Sequence, residues 1–168
     1  AAFLGDTWSP GRRFAMEYGT RFTAFLNSGT TYMAPDFRIS GKYSFRDNLS
    51  FKAGFNSMHQ NIHMLTNSSS ISPMDTWKIS DARIRPQSGW QAASGLYWTV
   101  LDNKVDLSLE GYWKQMSHYL DYKSGAMLSM NPNLADDLVE TRGKAYGVEF
   151  MARKTLGKLN GWGSYTWS

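Results

Sequence analysis

Apolar and polar side chains alternate with a period of two over most of the chain, the spacing that puts successive residues on opposite faces of a β-strand. Between Phe14 and Leu26 the even positions Phe14, Met16, Tyr18, Phe22, Ala24 and Leu26 are apolar, with Glu17, Arg21 and Thr23 between them. Phe37, Ile39, Tyr43 and Phe45 alternate with Arg38, Ser40, Lys42 and Ser44. After Asp47-Asn48 the chain resumes with Leu49, Phe51, Ala53 and Phe55 against Ser50, Lys52 and Asn56. The second half repeats the scheme. Leu96, Trp98 and Val100 precede Asp102-Asn103-Lys104, and Val105, Leu107, Leu109 and Trp113 then alternate with Asp106, Ser108, Glu110 and Lys114. Tyr146, Val148, Phe150 and Ala152 oppose Glu149, Met151 and Arg153. The pattern predicts eight antiparallel strands, each with one apolar face, the first and last cut by the chain ends.

Connections between these strands alternate in length. Short ones are expected at 9–13, 46–48, 102–104 and 157–159, where Asp, Asn and Gly tolerate left-handed backbone. Long ones are expected at 27–36, 61–90 and 121–142, the last two carrying Asn67-Ser68-Ser69-Ser70 and Asn131-Pro132-Asn133. A compact soluble domain seldom holds two loops beyond ~12–15 residues. A transmembrane barrel has short turns on one rim and long loops on the other as a rule. Strand length agrees: residues 14–27 extend about 45 Å at ~3.3 Å each, enough to cross a ~25 Å apolar band at a tilt near 40°. The fold class expected is all-β, an antiparallel transmembrane barrel segment.

Composition narrows the alternatives. With 168 residues, 15% aromatics and no Cys, the chain is neither disordered nor a disulfide scaffold, and it holds no apolar run near the ~18 residues of a spanning helix. Residues 1–8 lack a basic start and an apolar core, so they are not read as a signal peptide; the chain reads as an internal piece of a longer protein. Eight strands could close a barrel, but the long loops fit a wider one.

Residues 36–55, 58–65, 111–114, Arg142-Gly143-Lys144-Ala145-Tyr146-Gly147-Val148-Glu149-Phe150 and Gly161-Trp162-Gly163-Ser164-Tyr165-Thr166-Trp167-Ser168 resemble the barrel of TonB-dependent outer-membrane receptors, particularly their Bacteroidetes branch. The resemblance runs along nearly the whole chain. It implies import of a scarce nutrient (metal chelate, vitamin, glycan or peptide) through a barrel of about 22 strands. It further implies a plug domain, TonB-ExbB-ExbD engagement through an N-terminal part not among these residues, contact with outer-membrane lipid, and a surface lipoprotein partner in some members. Residues 1–168 would then be a partial barrel in a Gram-negative outer membrane, with transport a property of the whole receptor. No family ligand residue carries over, and no cofactor or nucleic-acid partner is implied. The same alternation also accommodates a non-transporting outer-membrane barrel and a soluble extracellular glycan-binding β-sandwich.

No G-x-S-x-G, H-E-x-x-H, G-x-G-x-x-G or P-loop is present, and the chain is not read as an enzyme. His59 and His63, flanked by Met58 and Met64, are expected to cap a strand end as polar rim residues rather than form a metal or haem site; His118 completes the histidines. Asp136, Asp137 and Glu140 with Asn131 and Asn133 lack an EF-hand spacing, and a solvated helical turn is expected there. Glu17, Arg21, Arg38, Lys42, Lys52, Asp106, Glu110, Lys114, Glu149 and Arg153 are all expected on the polar, lumen-facing side, six basic and four acidic. Trp77, Arg83, Arg85 and Trp90 are the loop candidates for substrate contact.

Overall fold

The computed structural model describes residues 1–27, 29–65, 76–123 and 134–168. It contains β1 (Ala2–Gly11), β2 (Phe14–Asn27), β3 (Thr30–Arg46), β4 (Leu49–Gln60), β5 (Ile62–Leu65), β6 (Thr76–Ile79), β7 (Gln87–Val100), β8 (Val105–Tyr122), a short 3-10 turn (Leu134–Asp137), β9 (Leu138–Lys154) and β10 (Gly161–Trp167). Eight of these form one antiparallel sheet in the order β1-β2-β3-β4-β7-β8-β9-β10, and β5 pairs with β6 as a separate hairpin. Neighbours in sequence are thus neighbours in space, as the alternation predicts for an up-and-down sheet.

The register places like with like. Phe14, Tyr43, Phe51, Leu96, Leu109, Phe150 and Tyr165 form one cross-strand row. The next row, on the opposite face, is Ala15, Lys42, Lys52, Gly95, Glu110, Glu149 and Thr166. A slip of one residue anywhere would exchange the faces.

Turn chemistry sets the rims. The β7–β8 turn holds Leu101, Asp102 and Asn103 at φ 53°, 53° and 64°, and Asn48 reaches across to donate its side-chain amide to the Thr99 carbonyl at 3.0 Å. The long connection expected at 27–36 is not a loop. β2 and β3 continue until Asn27 faces Thr30, with Gly29 at φ 83° in the turn. β-branched and aromatic residues at Thr30, Thr31 and Tyr32 favour the extended chain. Pro35 is tolerated because the β3–β4 ladder begins only at Arg38 and Asn56, so its missing N–H faces no partner strand. The connections expected at 61–90 and 121–142 are shorter than their bounds, since β5, β6 and the starts of β7 and β9 lie within them. Their clusters Asn67-Ser68-Ser69-Ser70 and Asn131-Pro132-Asn133 lie outside the described residues.

The hydrophobic core is small and sits at the loop end of the sheet, where β5 and the segment after β6 meet the ends of β8 and β9. Among the described residues, Leu65, Ile84 and Leu120 are the buried hydrophobics, with Tyr122, Ala135 and Leu138 packed against them. The apolar face of the sheet has no covering layer among the described residues: Leu109 is 49% exposed, and Phe150, Tyr146 and Phe22 are exposed beside it. A β-sandwich would bury this face against a second sheet.

The apolar face also ends obliquely. On β2 and β3 it continues to Leu26 and Met33, both exposed, whereas on β8 and β9 it stops at Trp113 and Tyr146, and Gln115 and Lys144 follow in the next row. Tyr18 shares the row of Tyr146, so the boundary shifts by eight residues, from Tyr18 to Leu26. Strands ~4.8 Å apart and tilted by ~40° in a slab of constant height shift by about six residues over the same five steps. An oblique boundary of this kind is what tilted strands crossing an apolar slab would give.

Candidate functional site at the concave face and the loop cap

Two regions concentrate polar chemistry. The first is the polar face. A hollow of about 400 Å³ is lined there by residues from β1 to β8, among them Thr7, Glu17, Lys42, Lys52, Tyr97 and Glu110, so this face is concave. The ten charged residues expected on the polar side share the alternate rows of the register. Asp106 accepts from Arg153 at 3.0 Å and from the Thr99 hydroxyl at 3.0 Å. Lys42 lies opposite Lys52, and Glu110 opposite Glu149, and like charges facing each other are unfavourable unless another group intervenes. Lys52 finds one in the ring of Tyr97, 4.2 Å from its ammonium. Gly95 makes room for this: a Cβ there would lie 2.9 Å from Glu110 Cγ and 3.3 Å from the Tyr97 ring.

Nearer the loops, Arg21 and Asp36 are cross-strand partners. Asp36, 7% exposed, accepts from Arg21 at 2.8 and 3.2 Å and from His59 Nδ1 at 2.7 Å. His59 is therefore tied to a buried carboxylate and is more than a rim cap. His118 forms a bulge at φ 57° between Ser117 and Tyr119. It lines a hollow of about 220 Å³ with His59, Arg85, Tyr32 and Ser88.

The second region is the cap built from the long connections. Asn27 donates to the Ser80 carbonyl at 3.0 Å and Tyr32 to the Asp81 carbonyl at 2.8 Å, which fastens the β2–β3 tip to the segment after β6. Arg83 pairs with Asp136 at 3.2 Å and Arg85 with Glu140 at 3.5 Å, joining that segment to the turn before β9 and to the start of β9 itself. Burial alone would raise the Asp81 carboxyl, but the N–H groups of Arg83 and Ile84 and the Lys78 ammonium hold it below its ordinary value.

His63 is the exception to the rim expectation. It is 2% exposed, its Nε2 lies 3.0 Å from the Oγ of the fully buried Ser80, and its Nδ1 makes no hydrogen bond of good geometry among the described residues. Burial lowers its pKa below 6.5, although the Arg85 carbonyl and Glu140 favour the charged form. The folded cap thus holds a neutral imidazole, and the opened cap takes up a proton first as the pH falls below 6.5. Cap stability is full above that value and declines below it. The protection of the β5–β6 amides, their exchange rate relative to the intrinsic rate at each pH, is expected to fall between pH 7 and 5, and His63→Gln to flatten the dependence.

The structure separates most of the sequence candidates. His59 and His63 point to different neighbourhoods, and among the described residues no group of three His, Asp or Glu is arranged to hold a metal. Asp136 and Glu140 serve different arginines, and Asn131 and Asn133 lie outside the described residues. Trp77 is exposed on β6, Arg83 and Arg85 clamp the cap, and Trp90 is within β7, its ring 6.1 Å from that of Phe55 on the apolar side. Asp36 was missed although its alternation with Arg38 marks its face; the bulge that turns His118 leaves no trace in the sequence.

No family model and no curated protein matches the chain. Among solved structures, it is similar to the ferric-catecholate import receptor Fiu of E. coli K12 in its closed form, with a TM-score of 0.60 over 98% of this chain and 13% identity. The chain spans 27% of that receptor's length. The likeness shows the fold alone: an antiparallel β-sheet that matches a barrel segment of that receptor.

Proposed function

We propose that these residues are part of the wall of an outer-membrane TonB-dependent transporter that imports a scarce nutrient, whether a metal chelate, vitamin, glycan or peptide. The observation that carries this reading is an uncovered apolar face with an oblique boundary behind a concave, charged face. That combination suits a wall with lipid on one side and water on the other. The likeness to an import receptor supports the transport role, and the motifs at 142–150 and 161–168 support the Bacteroidetes branch. β1 and β10 are both free edges of the sheet, which further strands of a wider barrel would pair. A plug and the TonB-ExbB-ExbD complex belong to this proposal, as does a capping lipoprotein. On the concave face, Glu17, Arg38, Lys42, Lys114 and Glu149 make no ion pair among the described residues and suit contacts to a plug or to passing solute.

The test compares cells with and without the full-length gene, each with TonB intact or deleted, for uptake of labelled ferric chelates, cobalamin, oligosaccharides and peptides. One class should lose uptake both on gene deletion and on TonB deletion. Normal uptake of every class, with the protein shown to be in the membrane of the parent strain, would favour a non-transporting barrel.

A further inference from the structure

We infer that the hollow between the cap and the sheet binds a small tetrahedral oxyanion, sulfate or phosphate, free or as the ester group of a larger solute, through Arg85, His118 and His59. This goes beyond the transport reading and does not depend on it. At about 220 Å³ the hollow is smaller than the ~300–1,000 Å³ of sites for drug-sized ligands, and it suits an ion with its water. Thr23, His59, Ser88 and His118 line it from the sheet, and Asn61 and Arg85 from the cap. Every polar side chain of the lining can donate a hydrogen bond, and no Asp or Glu is among the described residues that form it.

The carboxylates that touch this lining are already engaged. Asp36 Oδ2 accepts from Arg21 and Oδ1 meets His59 Nδ1, which leaves Nε2 as the remaining ring nitrogen of His59. Glu140 meets Arg85 through Nε at 3.5 Å, and the terminal nitrogens of the guanidinium remain for a ligand. The Thr23 hydroxyl is buried and makes no hydrogen bond among the described residues, although buried polar atoms as a rule have a partner. His118 stands in a bulge at φ 57°, a device that re-aims a side chain, and its Nδ1 lies 3.5 Å from the Ser88 hydroxyl, the far limit of a hydrogen bond. The charged and titratable groups around His59 are Arg21 of β2, Asp36 and Tyr32 of β3, Lys114 and His118 of β8, and Arg85 with its partner Glu140 of β9. Three fixed cations against two carboxylates leave a positive field that an oxyanion relieves and a metal ion would worsen. An anion held between Arg85 and His118 would also join the cap to the sheet.

The test titrates the full-length protein in lipid nanodiscs with sodium sulfate, and separately with phosphate, by calorimetry at pH 7 and constant ionic strength. His59 offers Nε2 as a donor only when both its ring nitrogens carry protons. Sulfate binding should therefore take up protons, seen as a binding enthalpy that changes with the ionisation enthalpy of the buffer, and an enthalpy independent of buffer would overturn the role given to the imidazoles. Arg85→Gln and His118→Gln should each weaken binding about tenfold, the loss of one charge-assisted hydrogen bond, and Thr23→Val a few-fold. Arg85→Gln also releases Glu140, so His118→Gln, which breaks no ion pair, is the deciding variant. Lys158→Gln, in the turn at the opposite rim, should leave binding unchanged. Saturating sulfate should slow hydrogen exchange of residues 80–85 in the wild type. A sulfated monosaccharide separates the two sources: tighter binding than inorganic sulfate assigns the site to the ester group of a larger solute, and equal or weaker binding assigns it to the free ion. Saturable binding of neither inorganic anion, or equal affinity of His118→Gln and the wild type, would overturn the inference.

Discussion

Leu109→Arg is expected to destabilise the full-length protein in lipid by about 2–4 kcal/mol, the cost of placing a charge near the bilayer midplane. Leu109 is midway along the apolar stretch of β8 and belongs to the row of Phe51, Leu96 and Phe150. At 49% exposure it has ample room for a longer side chain, so in water the same substitution would cost little. Stability alone therefore discriminates, which it would not do if the face were buried in a sandwich. The matched change on the other face is Glu149→Arg. Glu149 lies directly opposite Glu110, and reversing its sign turns a repulsive pair into an attractive one, for a gain of a few tenths of a kcal/mol. Ser108 is no substitute as a control, because it is 7% exposed and lies between Tyr97 and Met151 in its row. Equilibrium refolding from urea into vesicles reads both effects. A Leu109→Arg variant as stable as the parent would mean that this face meets water.

The sheet was legible in the sequence because a two-sided environment writes itself into every second residue. From Val105 to Lys114 no position departs from the apolar–polar rule except Gly111 and Tyr112, and those belong to features of packing. Gly111 falls in a row of small residues with Gly41, Ala53 and Ser94, and Tyr112 lies over Gly147. The loop end was legible only in part. Its architecture rests on contacts between residues far apart in sequence, such as Asn27 with Ser80 and Arg83 with Asp136, and periodicity is blind to these. His63 shows the limit well: between Ile62 and Met64 it alternates like a strand residue with an exposed polar side. The side that looked polar is the buried one, because the β5–β6 hairpin turns it against Ser80.

Ile84→Ala is expected to cost about 2–5 kcal/mol, the range for truncating a buried aliphatic side chain, and to cost it in the cap rather than in the sheet. Ile84 is 3% exposed, and with Leu65 and Leu120 it completes the buried hydrophobic cluster. Removing three of its side-chain carbons leaves few apolar neighbours to relax into the space. The segment is also held by the Asp81–Ile84 backbone pair at 3.0 and 3.2 Å, by the hydrogen bonds of Asn27, Tyr32 and His63, and by two pairs whose arginines are about two-thirds exposed, which contribute about 0–1 kcal/mol each. Loss of the Ile84 contacts exceeds what either exposed pair supplies, and the cap should open locally more often while β7 and β8 keep a ladder that does not depend on it. Hydrogen exchange should show amides of β5, β6 and residues 80–84 accelerating by a factor matching the lost free energy, with those of residues 92–113 unchanged. Trp77→Ala, on the exposed side of the same hairpin, should leave both sets within a few-fold of the parent. Acceleration spread evenly over the sheet would mean that the cap and the barrel wall open as one unit, and that the cluster around Ile84 supports the wall itself.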